Sequence, residues 1–421
     1  MKKTLIALAA VAATGAAFAQ STVTLYGQAD AALSSVKSTT NKLTGLLGAG
    51  RGSNFVGFMG TEDLGGGLKA NFKLEAGYNL DNGTGAATNT NNQANGGAVV
   101  VTGATAAAVI AGTPNARPSL GGAQGLTFNR WSYAGLSGGF GEVRVGREYT
   151  PTFQAVLSAD FLGANGVQNT LFQTLYIGQA NSHATATSAS NGISWESPRV
   201  SGLQAKAQMF YGETTPGLTS ANIQTGKSGD GTSFRLDYTQ GPVNAGYAAQ
   251  ETKGTSKEGN SVTGVGAVPG KYSVDTMYAK YDAGVAIIAV AQVTEKMVTA
   301  GTTSSTAAAV AGDLKNVSNV IGLRVPMGAT TLNASYTTSK YTVNGAMSST
   351  AGGGKGTQLG LQAIHALSKR TDVYVNYAVT DNTTDGTGKV YGIGNGSGRV
   401  VNVSNAGDKS TGFQIGMRHN F

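Results

Sequence analysis

The chain has 421 residues, of which only 12% are charged, 63 are glycine and none is cysteine. Its length alone predicts about two or three soluble domains, but no proline-rich or charged linker divides it, so we predict one large domain. The net charge of +8 is too small and too scattered for a nucleic-acid-binding patch. The lack of cysteine is consistent with a fold that needs no disulfide.

The N-terminus has the three parts of a secretory signal peptide. Lys2 and Lys3 give a positive start, residues 5–11 are apolar, and Ala17-Phe18-Ala19 forms a cleavage site before Gln20. The apolar run is shorter than the roughly 20 residues of a membrane-spanning helix, which disfavours an uncleaved anchor. The sequence predicts a signal peptide at 1–19 and a barrel domain at 20–421.

After the signal, segments of alternating polar and apolar residues recur along the whole chain. In one of them the apolar Leu74 stands between the charged Lys73 and Glu75. A charged face that recurs in strand after strand predicts a closed barrel with lipid outside and water inside, since a barrel satisfies its backbone hydrogen bonds within a membrane. We predict sixteen strands, at 22–34, 54–61, 68–79, 128–136, 142–148, 191–197, 203–211, 233–240, 243–251, 272–282, 285–296, 319–326, 330–341, 357–367, 371–381 and 411–421.

The connections between these segments are of two kinds. Short turns alternate with long loops rich in Gly, Thr and Asn, near 36–52, 80–125, 149–190, 212–232, 252–271, 297–318, 342–356 and 382–410. In bacterial barrels short turns lie in the periplasm and long loops outside the cell. Both chain ends then lie on the periplasmic side, where the first and last strands pair to close the wall.

The predicted hairpin 128–148 leads into the third long loop. Alternation places Trp131 and Tyr133 on one face of its first strand and Arg130 on the other, and we expect the charged face to line the lumen. The loop at 149–190 contains one acidic residue, Asp160, and no Lys or Arg. It is rich in apolar residues, which water outside would not favour, so we expect it to fold into the lumen and narrow it.

Several segments resemble the trimeric general porins of Gram-negative bacteria, particularly the betaproteobacterial type. They are Leu-Tyr-Gly at 25–27, Gly-Thr-Glu-Asp-Leu-Gly-Gly-Gly-Leu-Lys-Ala at 60–70, Tyr-Ala-Gly-Leu-Ser at 133–137, Val-Gly-Arg at 145–147 and the terminal Arg-His-Asn-Phe. The resemblance implies an all-β, 16-stranded antiparallel transmembrane β-barrel with an inward-folded third loop, assembled as a homotrimer in the outer membrane. It also implies passive diffusion of ions and small hydrophilic solutes without a cofactor. The terminal Phe421 resembles the signal read by the barrel-assembly machinery.

Porins of this family line their constriction with basic wall residues that face acidic residues on the third loop. By that likeness we predict a constriction formed by Arg130, Arg147, Glu148 and Asp160. We predict further pore-lining positions at Lys73, Glu75, Arg144, Arg235, Arg324 and Arg418. Two family positions depart from the pattern, because Gln28 and Asn54 stand where the relatives carry basic residues. We therefore expect only mild ion selectivity, leaning to anions if Arg130 and Arg147 both face the constriction.

Other function classes remain as alternatives. Outer-membrane lipases and proteases are also barrels, so an enzyme stays possible by fold analogy alone. His183, His365 and His419 are widely separated without metal-ligand spacing, and we predict neither catalytic residues nor a metal site. Hydrolysis of phospholipid or peptide would favour an enzyme, and ion conductance without hydrolysis would favour a channel. An adhesive or structural barrel predicts no conductance and has no need of a loop nearly free of charge.

One stretch of the second long loop is unusual. Residues 98–111 are rich in Ala and Val, yet they are too few for a spanning helix. In porin trimers the second loop commonly latches onto a neighbour, so we expect this stretch to pack against another subunit.

Overall fold

The computed structural model describes residues 22–39, 42–86, 126–175, 184–212, 229–253, 271–299, 312–345, 354–382 and 407–421. The predicted signal peptide and the Ala/Val-rich stretch 98–111 lie outside the described residues. Within them, no helix is both long enough and apolar enough to cross a membrane.

The described strands form one antiparallel sheet that closes on itself, because the first strand pairs with the last. The strands are β1 (Thr22–Ser38), β2 (Lys42–Gly48), β3 (Phe55–Gly65), β4 (Leu68–Gly77), β5 (Trp131–Gly138), β6 (Gly141–Tyr149), β7 (Ser188–Glu196), β8 (Leu203–Phe210), β9 (Gly231–Gln240), β10 (Val243–Lys253), β11 (Lys271–Asp282), β12 (Ile287–Thr299), β13 (Gly312–Met327), β14 (Thr330–Gly345), β15 (Gly354–Ala366), β16 (Thr371–Asn382) and β17 (Lys409–Asn420). Each of β3 to β16 pairs with the next strand along the chain.

The second position in the wall is shared by two strands. β3 pairs with the first half of β1, from Thr22 to Gln28, and β2 pairs with the second half, from Ala31 to Lys37. The barrel therefore has the sixteen predicted wall positions, although the sheet contains seventeen strands. The expectation of a long loop at 36–52 was wrong, since β1 and β2 continue the wall through most of it and residues 49–54 form a bend.

The two faces of the wall differ in the way that alternation predicts. On β1, Val23, Leu25 and Leu33 point outward with 57% or more of their surface exposed, whereas Asp30 and Ser34 point inward and are buried. The outer face thus presents apolar side chains to the surroundings. The inner face gathers the polar and charged ones.

The third loop enters the barrel directly after β6. Helix α1 (Pro151–Ala159) begins at the cap residue Thr150, whose side-chain oxygen accepts from the N–H of Phe153 at 3.2 Å, and Pro151 suits the first helical turn. α1 lies against β8 to β12, and the short helix α2 (Leu171–Thr174) lies against β12 to β14. The predicted inward fold of this loop is confirmed.

An apolar cluster inside the barrel explains why the loop stays there. Phe153, Val156, Leu171 and Leu175 of the loop pack against inward side chains of β11 to β14, namely Tyr272, Val274, Val293, Met297, Leu314 and Tyr341. All of these side chains are almost completely buried. Since full burial of a large apolar side chain contributes about 1.5–3 kcal/mol, the loop and the upper wall stabilise each other.

Candidate functional site: the charged lumen and its inward loop

Beyond α1, the inward loop crosses to the far side of the barrel. The N–H of Val167 donates to Gln414 Oε1 on β17 at 2.9 Å, and Gln358 Nε2 on β15 donates to the carbonyl of Asn169 at 2.8 Å. Gln168 Nε2 reaches the carbonyl of Gly50 in the β2–β3 bend at 3.5 Å. The loop is therefore tied to the wall on opposite sides and narrows the lumen between them.

The β2–β3 bend is held inward by one carboxylate. Asp30 on β1 accepts from the backbone N–H groups of Gly50, Arg51 and Gly52 at 3.1, 3.0 and 2.7 Å, and also from the hydroxyl of Tyr374. Three N–H groups turned toward one anion satisfy a carboxylate that is buried. The bend thereby carries Arg51 into the lumen.

Arg51 belongs to a group in which two cations share one carboxylate. Arg51 Nη1 lies 2.6 Å and Arg418 Nη2 lies 2.8 Å from the same atom, Oδ2 of Asp372. The side chains of both arginines keep about a fifth of their surface exposed, at 21% and 22%. We call these three residues the Asp372 group, and it carries an excess of positive charge.

A second group, on β4 and directly before β5, has the same imbalance. Lys73 Nζ lies 2.8 Å from Glu75 Oε1, and Arg130 Nε lies 3.1 Å from Glu75 Oε2. The guanidinium of Arg130 also lies over the ring of Phe55, 4.9 Å from its centroid, and Lys73 Nζ lies 4.5 Å from the ring centroid of Trp131. We call Lys73, Glu75 and Arg130 the Glu75 group.

A third group on β6 to β8 has more acids than bases. Arg144 pairs with Glu142 at 2.5 Å, Glu196 at 3.1 Å and Glu148 at 3.4 Å. Lys206 Nζ pairs with Glu148 at 2.7 Å, and both side chains of this pair are buried. We call these five residues the Glu148 group.

Further inward charges lie beside the loop. Arg235 pairs with Asp237 at 2.7 Å and donates to Ser158 Oγ of α1 at 2.9 Å. Arg324 donates to the carbonyl of Phe161 at 3.3 Å. The loop is thus fixed to the wall by charged donors as well as by apolar packing.

Asp160 is satisfied within the loop itself. Its carboxylate accepts from the N–H of Leu162 at 2.8 Å and from the hydroxyl of Thr170 at 3.1 Å. Burial raises the pKa of Asp160 to about 6, against the opposing effect of these hydrogen bonds and of the charge of Arg324. The carboxyl therefore changes charge just below neutral pH.

The four predicted constriction residues have different partners. Arg130 binds Glu75, Glu148 binds Lys206, and Asp160 is bound within the loop near Arg324. Arg147 donates to two neutral acceptors, the carbonyl of Asn129 and Oγ of Ser190, each at 2.7 Å. Their placement at the narrowest point stays a prediction. Four of the six predicted pore-lining residues lie in the three charged groups, and Arg235 and Arg324 lie beside the loop. Their role in lining the pore stays a prediction.

The faces of β5 are the reverse of the sequence prediction. Trp131 lies opposite Glu75 in the ladder, and Tyr133 lies opposite Lys73, so both aromatic residues share the charged, inward face. Leu136 occupies the outer face and is 46% exposed. Arg130 precedes the first residue of β5, so its side chain reaches Glu75 from outside the strand alternation that the prediction assumed.

Two lumen cations, Arg51 and Lys280, were missing from the predicted set. Arg51 lies in the β2–β3 bend, within the predicted external loop, and its Gly-rich surroundings gave no sign of an inward turn. Lys280 continues the inward series of β11 two residues after Tyr278, and strict alternation along that strand would have found it.

A closed barrel with an apolar exterior, charged lumen and inward loop defines an outer-membrane channel. The chain belongs to the Gram-negative porin family, whose model matches residues 4–385. It is 30% identical over 425 residues to outer membrane porin protein 32 of Delftia acidovorans, with both chains fully covered. It is therefore a multi-pass outer-membrane porin, and it forms a water-filled channel for ions and small hydrophilic solutes.

Two solved structures are similar to the whole barrel. The anion-selective porin from Comamonas acidovorans superposes with a TM-score of 0.68 at 26% identity, covering 96% of this chain and 100% of that chain. The trimer form of OmpT from Vibrio cholerae gives a TM-score of 0.60 at 15% identity, covering 95% and 99%. The second likeness concerns the fold alone.

Within the described residues, no group of three or more His, Asp or Glu side chains is placed to hold a metal ion.

Proposed function

We propose that the protein is a homotrimeric channel for passive diffusion, in which the inward loop sets the width and the charged groups set a mild preference for anions. The observation that carries this proposal is the position of the segment 151–175 inside the barrel, where it is fixed to both sides of the wall. A fixed loop narrows the lumen permanently and needs no energy source.

The preference for anions over cations follows from the ratio of cationic side chains to carboxylates in each charged group. In the Asp372 group and in the Glu75 group, two cations share one carboxylate, and only the Glu148 group has an excess of acids. Because a narrow channel between low-dielectric walls focuses the field of such groups, a small positive excess favours anions. The relative from Comamonas acidovorans is described as anion-selective, which is consistent with this proposal.

Planar-bilayer recording of the purified protein tests the channel. We expect conductance to increase in steps, with three closely spaced levels for each inserted trimer and no requirement for nucleotide or ion gradient. Native mass spectrometry of the same preparation should give the mass of three chains. A monomeric mass with single conductance levels would contradict the homotrimer, and protein that inserts without conducting would contradict the channel.

The constriction is tested by cross-linking. If Asp160 and Arg130 face each other at the narrowest point, cysteines at both positions should react with one short bifunctional reagent. Cysteines at Asp160 and Arg324 form the matched control, because Arg324 already lies beside Asp160. If only the control pair cross-links, Arg130 does not face Asp160 at the narrowest point.

Phe421 is proposed as the signal for the barrel-assembly machinery. It closes the seam of the wall, since its N–H donates to the carbonyl of Gly27 at 3.1 Å and its carbonyl accepts from the N–H of Gly27 at 3.0 Å. Its side chain remains 44% exposed. Deletion of Phe421 should reduce the amount of folded protein in the outer membrane, whereas Phe421→Trp, which keeps an aromatic end, should retain most of it.

The proposed signal peptide comprises residues 1–19. The supporting pattern is the positive start, the apolar run and the small residues before Gln20. N-terminal sequencing of protein extracted from outer membranes should begin at Gln20. A sequence beginning at Met1 would contradict cleavage.

A further inference from the structure

A groove lies on the outer face of β13 to β16, close to the short turns of the barrel. It encloses about 410 Å³, within the range of roughly 300–1,000 Å³ that is typical of small-molecule sites. The outward side chains that line it are aliphatic, apart from Tyr377. Asn333 and Gln362 also border it, but their side chains face the lumen and bond to each other at 2.9 Å. The groove is therefore an apolar feature of the membrane-facing wall.

The strand register forms the floor and the walls of this groove. Ala334 on β14 lies between Leu323 and Leu361 in the ladder. Ala363 follows Leu361 by two residues on β15 and lies opposite Leu332. The three leucines project outward and are 40–41% exposed, whereas each alanine carries only a methyl group. The two methyl groups form a floor below the leucines, and the groove runs toward the β15–β16 turn.

Polar groups replace the apolar ones where the wall approaches this turn. His365 follows Ala363 by two residues on the same face, and its Nδ1 shares a hydrogen bond with Thr330 Oγ1 at 2.9 Å. β15 ends one residue later, and the turn then carries Lys369 and Arg370, both exposed. Along the wall, the order is thus an apolar groove, a hydrogen-bonding rim and two cations.

The side chains of Lys369 and Arg370 form no hydrogen bond or ion pair in the described part of the chain. Asp372, which follows the turn, faces the lumen and binds two arginines there. The C-terminal carboxylate of Phe421 lies at the neighbouring end of β17 and forms no ion pair with either cation within the residues described. Two positive charges at this turn therefore lack a fixed ion-pair partner.

The other charged short turns differ from this one. The β3–β4 hairpin carries the acids Glu62 and Asp63 near its tip, and the β11–β12 turn begins at Asp282. Arg199 in the β7–β8 turn is engaged, since its guanidinium donates to the carbonyl of Gly202 at 2.7 Å. In bacterial barrels short turns lie on the periplasmic side. The apolar groove and the two cations therefore coincide at the periplasmic leaflet of the outer membrane.

We propose that this groove and the β15–β16 turn bind an anionic phospholipid of the periplasmic leaflet. One acyl chain lies over Ala334 and Ala363, the ester region meets His365, and the phosphate lies at Lys369 and Arg370. The order of polarity along the wall matches the order of parts in such a lipid. Lys and Arg side chains near a membrane surface attract anionic lipid, and the groove adds an apolar contact that a free phosphate ion does not gain.

Native mass spectrometry of the purified protein in detergent tests the site, during titration with phosphatidylglycerol and separately with the zwitterionic phosphatidylcholine. We expect one phosphatidylglycerol to bind per chain before further lipids add, and phosphatidylcholine to bind about fivefold more weakly. Inorganic phosphate should not displace the lipid. Lys369→Gln and Arg370→Gln should each weaken phosphatidylglycerol binding about fivefold, and the double variant should lose the preference for the anionic lipid.

Ala363→Leu tests the groove without changing any charge. The larger side chain fills the floor and should weaken binding of both lipids about tenfold, because several methylene groups of the acyl chain lose their burial. The matched control is Ala279→Leu, an exposed position on the outer face of β11 opposite Val290. For the charges, the control is Arg199→Gln in another short turn. Both controls should change the affinity less than twofold.

Other results would overturn the site. Equal affinity for the two lipids, or equal effects of Ala279→Leu and Ala363→Leu, would show only ordinary boundary lipid. Loss of the oligomer mass in Ala363→Leu would assign the groove to a contact between subunits. Heat-dependent gel mobility checks folding, and the two turn variants remove no side-chain bond, so they test the site even if Ala363→Leu does not fold. The conductance of the turn variants should equal that of the wild type, which separates this site from the channel function.

Discussion

At the scale of single residues, the barrel contains ion pairs of similar length in very different surroundings. Lys206 and Glu148 are 2.7 Å apart with only 5% and 3% of their side chains exposed. Lys271 and Glu251 are 2.5 Å apart with 50% and 38% exposed. A charge that remains in a buried site after its partner is removed is costly, whereas water replaces the partner of an exposed charge. The distances alone do not predict which pair matters.

Lys206→Met should therefore destabilise the barrel by about 3 kcal/mol, because Glu148 would keep only the longer contacts to Arg144 and Gln208. The matched variant Lys271→Met should cost at most about 1 kcal/mol. Urea unfolding of the protein in lipid vesicles measures both free energies. Equal losses of unfolding free energy in the two variants would mean that burial of an ion pair does not determine its contribution to stability.

The seam between β1 and β17 depends on a glycine at the residue scale. A Cβ added at Gly27 would collide with the ring of Phe421 and with the carbonyl of Phe55, whereas a Cβ at Gly45 of β2 would meet no atom within 4 Å. Gly27→Ala should destabilise the barrel by about 1–3 kcal/mol, as for other overpacked sites. Gly45→Ala should be neutral or slightly stabilising. Unfolding of both variants in urea checks the difference, and unchanged stability of Gly27→Ala would show that Phe421 can move aside.

At the scale of elements, alternation predicted the number of wall positions and, for most strands, which face points into the lumen. The period of two residues is a direct consequence of strand geometry, so β4 and β6 were assigned to the correct faces. The inward fold of the third loop could also be predicted, because apolar residues without charge have no place on an outer surface. These features depend on local composition, which a sequence displays.

The features that escaped prediction depend on contacts between distant parts of the chain. β2 is short and glycine-containing, and it is stabilised by pairing with β1. The inward position of Arg51 depends on Asp30, which satisfies the bend from another strand. The inward face of Trp131 depends on the cations Lys73 and Lys206, which lie 4.5 and 6.0 Å from its ring. No single segment contains these partners.

The reversed face of β5 can be tested by fluorescence, because the chain has only two tryptophans. Trp131 faces the lumen, whereas Trp195 of β7 lies on the outer face, 40% exposed, with its Nε1 bonded to the carbonyl of Phe140 at 2.9 Å. In Trp195→Phe, the remaining Trp131 should be quenched by aqueous iodide and not by brominated lipid. In Trp131→Phe, the remaining Trp195 should show the opposite behaviour. Lipid quenching of Trp131 would restore the sequence-based assignment.

At the scale of the whole molecule, the lumen has an apolar region under the loop and separate groups of charged side chains. The inward loop packs on apolar side chains of β11 to β14, while the Glu75 and Glu148 groups line β4 to β8. Most lumen cations are paired with nearby carboxylates. The electric field along the channel therefore depends on the small net charge that remains after this pairing. One titrating carboxyl in the loop is then enough to change the selectivity of the channel.

Asp160 is that carboxyl, and its pKa of about 6 sets the pH at which the selectivity changes. Below pH 6 it gains a proton and loses its negative charge, so the lumen becomes more positive and the preference for chloride over potassium should increase. In a tenfold KCl gradient we expect an anion-selective reversal potential well below the limit of about 59 mV at pH 7.5, and a larger one at pH 5. Asp160→Asn should give the larger value at both pH values. A change of the reversal potential with pH that persists in Asp160→Asn would contradict the role of Asp160.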